Sequence, residues 1–279
     1  MGRFDGVLLC SDFDNTLVDT NGAAVGGGEL PPVPERSREA LERFMAQGGR
    51  FAVATGRALP AFVPFAAGVP TNAPCVLSNG AALYDMEKKT YVATAFLPDS
   101  IRERGNEILA AVPGLACELY HDGMEVHCMH PNDITTRHKH LTHAPCEEVA
   151  DLRDAPGHCA KLLLEGDRVQ QEQAMAYLRK KGWDKDYEIV PSSDYWIEVT
   201  AKGASKGGMI RTLAKLLGTP HIYGIGDHLN DLSMLAVSEI GFAPANSVEQ
   251  VLSAADRVVC TAAEGALADV VDILGEIYR

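Results

Sequence analysis

The chain reads as an α/β protein: a doubly wound, mainly parallel, Rossmann-like core sheet interrupted by an inserted α+β domain. Three observations carry that reading. Short apolar runs alternate with longer amphipathic stretches at both ends of the sequence, the rhythm of strands joined by helices. Between residues 83 and 198 the texture changes to closely paired short runs, the pattern of hairpins. Two acid-rich turns, Asp12-Phe13-Asp14 and Gly226-Asp227-His228-Leu229-Asn230-Asp231, each follow an apolar run, at the position where open α/β sheets put their sites. The expected division is a core formed by residues 1–82 and 199–279, with residues 83–198 inserted as a second domain.

The elements follow in order. Residues 6–11 form a buried strand, and the loop after it takes in Gly26-Gly27-Gly28 and Pro31-Pro32. A helix over 34–47 has Pro34 near its first turn, Leu41, Phe44 and Met45 on one face, and Gly48 as its stop. Strands at 50–54 and 75–78 continue the core. The inserted stretch offers the pairs 81–84 with 89–94, 116–120 with 124–128, and 188–190 with 195–199. The last third returns to core grammar: a helix over 205–217 closed by Gly218, a strand at 221–225, a helix around 229–237, strands at 240–243 and 257–259, and a terminal helix from about Gly265.

Composition narrows the function. Of 279 residues, 46% are hydrophobic and 23% charged, which is ordinary globular usage and excludes a disordered, collagenous or coiled-coil chain. A formal charge of −13 gives no general attraction to nucleic acid or anionic lipid, so neither is an expected partner. No segment approaches the roughly 20 apolar residues of a spanning helix, and the apolar stretch before Asp12 and Asp14 is too short for a secretory signal, so a cytoplasmic protein is expected. Seven cysteines, Cys10, Cys75, Cys117, Cys128, Cys146, Cys159 and Cys260, show no Cys-x-x-Cys pair and read as reduced thiols.

The chemistry concentrates in four places. Asp12 and Asp14 lie two apart at the end of the first strand, where they serve either as a turn or as a charged pair sharing a cation. Asp227, Asn230 and Asp231 add carboxylates and an amide at a second strand end; the same letters also fit a turn that caps a helix. Parallel strands can bring the two ends side by side, converging the hard oxygen ligands that Mg²⁺ prefers, and no His/Cys cluster with zinc spacing competes. Thr55-Gly56-Arg57 follows the second strand, and Lys206 sits in Lys-Gly-Ala-Ser-Lys-Gly at a helix start. Alone, each is commonly a cap or surface charge. Together they supply a hydroxyl, backbone amides and an ammonium for the equatorial oxygens of a transferring phosphoryl group.

In the order nucleophile, threonine, lysine, acid pair, the chain resembles the haloacid dehalogenase superfamily, and within it the Cof-like branch with a large cap (type IIB). The matching residues are Asp12-x-Asp14-x-Thr16, Ala54-Thr55-Gly56-Arg57, Ser205-Lys206-Gly207, Gly226-Asp227-x-x-Asn230-Asp231, Ser78-Asn79-Gly80-Ala81 and Glu264-Gly265-Ala266. The resemblance implies a phosphatase acting on a small phosphorylated metabolite, with Asp12 as nucleophile and Asp14 as general acid and base. It implies Mg²⁺ held by Asp12, the Asp14 carbonyl and Asp227, supported by Asp231 and Asn230. Thr55 and Lys206 would bind the phosphoryl group, with Thr16, Gly56, Arg57 and Asn79 around the phosphate or substrate; Lys206 would face a phosphoryl oxygen and Asp12, not the core. A phosphosugar mutase would use the same aspartyl-phosphate, and a non-catalytic metal-binding regulator would keep the fold alone. Two departures stand out: Asn15 where the branch commonly has Gly, and Ala243-Pro244-Ala245-Asn246 where a glycine-containing turn is usual.

Other residues carry less. His121, His127, His130, His138, His140 and His143 crowd one part of the inserted domain, but their spacing fits no familiar helix pair and no carboxylate pattern accompanies them, so they read as solvated or packing residues. Trp183 and Trp196 read as domain core or hairpin surface. Lys161, opening Leu162-Leu163-Leu164, is similar to a lysine on the family's cap strands, which implies a substrate-facing role.

Overall fold

The computed structural model describes residues 2–20 and 30–279. The glycine run at 26–28, read above as loop, lies outside the described residues. Two compact units divide the chain: Met1–Gly56, Phe65–Ala93 and Ser205–Arg279 form the first, and Arg57–Pro64 and Thr94–Ala204 the second.

The first unit is built on a five-stranded sheet. Its strands are β1 (Val7–Ser11), β2 (Arg50–Val53), β12 (His221–Ile225), β13 (Ile240–Pro244) and β14 (Arg257–Val259), in the order β14-β13-β12-β1-β2. Every pairing is parallel. The chain winds outward from β1 to β2 on one side and from β12 to β14 on the other, so the order reverses between β1 and β12, the place where such sheets bind ligands. Ser11 stands opposite Ile225, which brings the carboxyl ends of β1 and β12 level. β1 has the wholly buried pattern of a strand covered on both faces. Helix α1 (Glu35–Ala46) buries Ala40, Leu41 and Phe44, and packs beside the terminal helix α10 (Ala266–Ile277).

Three core elements differ from expectation. The strand β3 (Cys75–Leu77) joins the main sheet only through a bridge between Ala54 and Val76, and forms its own three-stranded sheet with β4 (Ala82–Asp85) and β5 (Thr90–Thr94). That pairing keeps the hairpin with the core unit, which therefore runs on to Ala93 and not to 82. The helix expected around 229–237 is a 3-10 turn at Leu229–Asp231 followed by the short α8 (Leu232–Leu235). The helix α2 (Leu59–Ala66) straddles the division, its residues 59–64 counting with the second unit.

The second unit is a six-stranded sheet, β10-β11-β9-β6-β7-β8, with β6 (Ala116–His121), β7 (Val126–Met129), β8 (Cys146–Glu148), β9 (Cys159–Glu165), β10 (Tyr187–Pro191) and β11 (Trp196–Ala201). All pairings are antiparallel except β7 with β8. β11 pairs with β9 as far as Val199 and with β10 through Ala201, which holds residues 199–201 in this sheet and moves the boundary from 199 to 205. One face sends Cys117, Leu119, Leu162, Leu164, Ile197 and Val199 into an apolar core with Ile101 and Ile108 of α3 (Ile101–Ala111) and Ala174 and Leu178 of α5 (Arg168–Lys181). The opposite face carries Glu118, Lys161, Glu165 and Glu198, all buried. Trp183 belongs to the core of this unit, as expected. The seven cysteines are free thiols, and among the described residues no helix is long and apolar enough to cross a membrane.

Candidate active site

The backbone positions the first carboxylate. Asp12 follows β1 directly, and its amide donates to the Ile225 carbonyl at 2.9 Å, extending the sheet pairing one residue past the strand end. Its Oδ1 accepts from the Phe13 amide at 2.7 Å and lies 2.8 Å from Lys206 Nζ. Asn15 then turns the chain with a φ of 54°, in the left-handed region that glycine adopts freely and asparagine tolerates best among the other residues. This explains the first departure. The asparagine adds what glycine could not: its Oδ1 accepts from both the amide and the hydroxyl of Thr20. The second departure meets it, since Asn246 Nδ2 donates to the Asn15 carbonyl at 2.8 Å while its Oδ1 accepts from the Ala262 amide at 2.8 Å.

From β12 come Asp227 and Asp231. Asp231 is completely buried and fully engaged: Oδ2 accepts from the amides of Asp227 and His228, each at 3.0 Å, and Oδ1 accepts from Lys206 Nζ at 2.6 Å. A Cβ at Gly226 would fall 2.2 Å from the Asp231 carboxyl carbon, so only glycine lets this carboxylate fold back over the strand end. Asp227 Oδ1 accepts from Thr16 Oγ1 at 3.0 Å. Thr16, expected near phosphate, therefore orients a carboxylate.

Lys206 opens α7 (Lys206–Leu217), a helix capped by Ser205 at its start and by the left-handed Gly218 at its end. The ammonium is wholly buried between Asp12 and Asp231. Its bond to Asp231 ties it to the core as well as to Asp12, where the expectation was a lysine facing only Asp12 and phosphate. The loop at residues 78–80 abuts this helix start. Ser78, Asn79 and Gly80 are all left-handed, and a Cβ at Gly80, where φ is 101°, would lie 2.2 Å from the Ser205 carbonyl oxygen. Asn79 donates its amide to the Thr55 carbonyl and accepts at Oδ1 from Asn230 Nδ2 at 3.0 Å, linking three of the sequence motifs.

Burial and crowding set the electrostatics. Three carboxylates, Asp12, Asp227 and Asp231, place ligand atoms within 4.8 Å of one another. Burial first, and then the charge of Asp231, pushes the Asp12 carboxyl well up even though Lys206 opposes the shift. Asp227 is pushed up to about 7 by burial and then by Asp231, with the Thr16 bond opposing. Burial alone would depress the Lys206 ammonium, but Asp12 and Asp231 at contact distance outweigh it and hold it above its ordinary value.

The remaining expected residues fall as follows. Asp14 is half-buried and bridges to Val18 in the turn after Asp12. Thr55 is buried, with its amide on the Val76 carbonyl. Gly56 ends the first unit and Arg57 begins the second, where its guanidinium donates to the Ala61 carbonyl at 3.2 Å. Lys161 is buried within the second unit, 3.2 Å from Glu198 and over the Tyr120 ring.

Acids at two level strand ends have a buried lysine between them, and comparison with known proteins decides the family. The sequence model of the haloacid dehalogenase-like hydrolases matches residues 9–271. The chain belongs to this family. Phosphatase YwpJ of Bacillus subtilis is 25% identical over 282 residues, covering 91% of this chain and 94% of its own length. A haloacid dehalogenase-like hydrolase from Bacteroides thetaiotaomicron superposes with a TM-score of 0.81 at 25% identity, covering 97% of this chain and 99% of that one. The subclass IIB sugar phosphatase BT4131 shares the fold, with a TM-score of 0.78 at 20% identity over 96% and 98% of the two chains. The chain is thus a Cof-like phosphatase.

Proposed function

We propose that this phosphatase hydrolyses a small phosphomonoester, a sugar or polyol phosphate, through an aspartyl-phosphate on Asp12 and with Mg²⁺ as cofactor. The observation that carries the proposal is the Asp12 carboxylate, locked at one oxygen by Lys206 and the Phe13 amide at the switch point of the sheet. Because both donors engage Oδ1, Oδ2 is the oxygen that attacks.

Asp12 Oδ2 forms a bond to phosphorus as the bond to the leaving oxygen breaks, and the Asp14 carboxyl gives its proton to that oxygen. Asp14, now ionised, takes a proton from the water that attacks the aspartyl-phosphate, which releases inorganic phosphate and frees Asp12. Lys206 offsets charge on Asp12 and on the phosphoryl oxygens, and the Thr55 hydroxyl and Gly56 amide orient them. Arg57 and Asn79 complete the assignment, Asn79 through its hold on Asn230.

Hydrolases of this family generally use a divalent metal, and the residues here fit one. Three carboxylates, once ionised, would leave two negative charges around one ammonium in a buried site, the complement of a divalent cation, and the donors are hard oxygens suited to Mg²⁺. Asp12, the Asp14 carbonyl and Asp227 would hold it, with Asp231 and Asn230 in support. When bound, it supplies charge neutralisation to the carboxylates and the phosphoryl group.

The substrate class follows from the charge of −13, which gives a polyanion no general attraction, and from the similarity to a sugar phosphatase. The test compares kcat/KM for hexose, pentose and glycerol phosphates, nucleotides, pyridoxal phosphate and a phosphopeptide under identical Mg²⁺. A sugar or polyol phosphate at the top with stoichiometric phosphate release is expected; a nucleotide or phosphopeptide at the top overturns the substrate class. Transfer of the phosphoryl group back to a sugar without phosphate release would make the enzyme a mutase.

A further inference from the structure

We propose that the second unit binds a divalent transition-metal ion of the zinc class between Glu118, Glu165 and His138, a site distinct from the strand-end carboxylates of the first unit.

The strand register builds the first half of it. β6 and β9 are adjacent and antiparallel, with Glu118 opposite Leu163 and Glu165 opposite Ala116, so the two glutamates stand diagonally on the face turned away from the apolar core. His138 comes from α4 (Asp133–Thr142). That helix is pinned by Asn132, whose side chain caps it and also donates to the carbonyls of Gly114 at 3.3 Å and Glu165 at 3.5 Å. His138 Nδ1 lies 2.7 Å from Glu118 Oε2 and 3.5 Å from Glu165 Oε1, and one ligand atom from each of the three residues falls within 4.8 Å of the others.

Glu165 is what points to a ligand. It is completely buried, and neither carboxylate oxygen has a hydrogen-bond partner. His138 Nδ1 is nearer to Glu118, at 2.7 Å against 3.5 Å for Glu165, and a buried carboxylate without a hydrogen bond costs several kcal/mol unless it is protonated or met closely by positive charge. Protonation is the competing state, since burial and the neighbouring Glu118 charge push the Glu165 carboxyl up to about 7. A dication meets both carboxylates and the neutral imidazole at once. An imidazole nitrogen with two carboxylates suits zinc, manganese, iron or cobalt over Mg²⁺ or Ca²⁺. Tyr120 Oη, 2.5 Å from Glu118 Oε2, holds a ligand carboxylate as outer partners of metal sites do.

The experiment titrates the metal-stripped full chain with Zn²⁺ against a chromophoric chelator, with excess Mg²⁺ present to occupy hard-oxygen sites. One equivalent of Zn²⁺ per chain is expected, retained in Asp227→Asn and weakened by at least about tenfold in Glu165→Gln and His138→Gln, each checked for folding by circular dichroism. X-ray absorption of the Zn²⁺-loaded Asp227→Asn protein should show imidazole in the coordination shell, a readout that needs neither of the other variants to fold. A wild-type protein that takes up no Zn²⁺ overturns the proposal. So does Zn²⁺ lost with Asp227→Asn but kept by Glu165→Gln, or a coordination shell of oxygen alone.

Discussion

Among the described residues two buried clusters set acids around a nitrogen base, and they are finished differently. In the first unit Asp231 has a donor on each oxygen, Asp12 shares Lys206 with it, and Asp227 is held by Thr16. In the second unit Glu118 and His138 pair, Tyr120 adds a hydrogen bond, and Glu165 is left with a longer, 3.5 Å approach to His138. The difference lies in which part of the chain supplies the donors. Turns at strand ends have spare backbone amides to aim at a carboxylate, whereas the amides beside a side chain in mid-sheet are spent on neighbouring strands. A turn therefore completes its own acids, and a sheet face needs something brought to it.

Asp12→Asn gives the largest expected effect: turnover should fall by about 10³-fold or more because the amide is neither nucleophile nor charged ligand, with near-ultraviolet dichroism unchanged. Retention of a sizeable fraction of the wild-type rate would remove Asp12 from its role. Lys206→Met breaks the finished cluster from within. It should lower kcat by about 10²–10³-fold and also destabilise the fold by about 3–5 kcal/mol, since it strands two buried carboxylates. Adding Asp231→Asn should recover part of that stability in a double-mutant cycle; strict additivity would mean that the pair is not coupled. Glu165→Gln sharpens the contrast, because in metal-free protein it should leave denaturant stability equal to wild type or raise it by about 1–2 kcal/mol, the buried carboxylate having only a 3.5 Å approach to His138 to lose.

Gly80→Ala tests the backbone beneath the first cluster. A left-handed φ and a collision with the Ser205 carbonyl should cost about 2–4 kcal/mol and move the start of α7, lowering kcat as well as stability. The smallest effect belongs to His121 in the second unit, whose Nδ1 accepts from the Gly123 amide at 2.9 Å and which burial, with His127 adjacent, holds below the ordinary histidine range. Protons then bind the unfolded chain more readily than the folded one. Stability should be unaffected above the ordinary value of about 6.5 and decline as pH falls below it, and His121→Gln should flatten that slope in urea melts.

How much of this the sequence disclosed depended on how local the cause was. The helix expected over 205–217 and found at Lys206–Leu217 was legible because its stop signal, Gly218, is local to the element itself. Asp12, Asp14, Asp227 and Asp231 were legible as acids at strand ends because each motif is contiguous. The second role of Lys206 was not, since its bond to Asp231 depends on a turn closing back on itself through Gly226. The boundaries drifted because strand pairing, not local texture, decides that residues 83–93 stay with the first unit and 199–204 with the second. The histidine-rich stretch gave no sign of carboxylate partners because Glu118 and Glu165 meet His138 only through the register of β6 and β9; a charged residue inside an otherwise apolar strand was the signal available.

The burial of Lys206 has a consequence for reagents as well as for substrates. An amine with no exposed surface, held in its protonated form by two carboxylates, offers neither access nor a lone pair to an acylating or reductively methylating reagent. Of the lysines in this chain, it should be modified last, and only when the start of α7 opens. Its labelling rate would then be a clock for local unfolding at the active site, readable by peptide mass spectrometry without any substrate in hand.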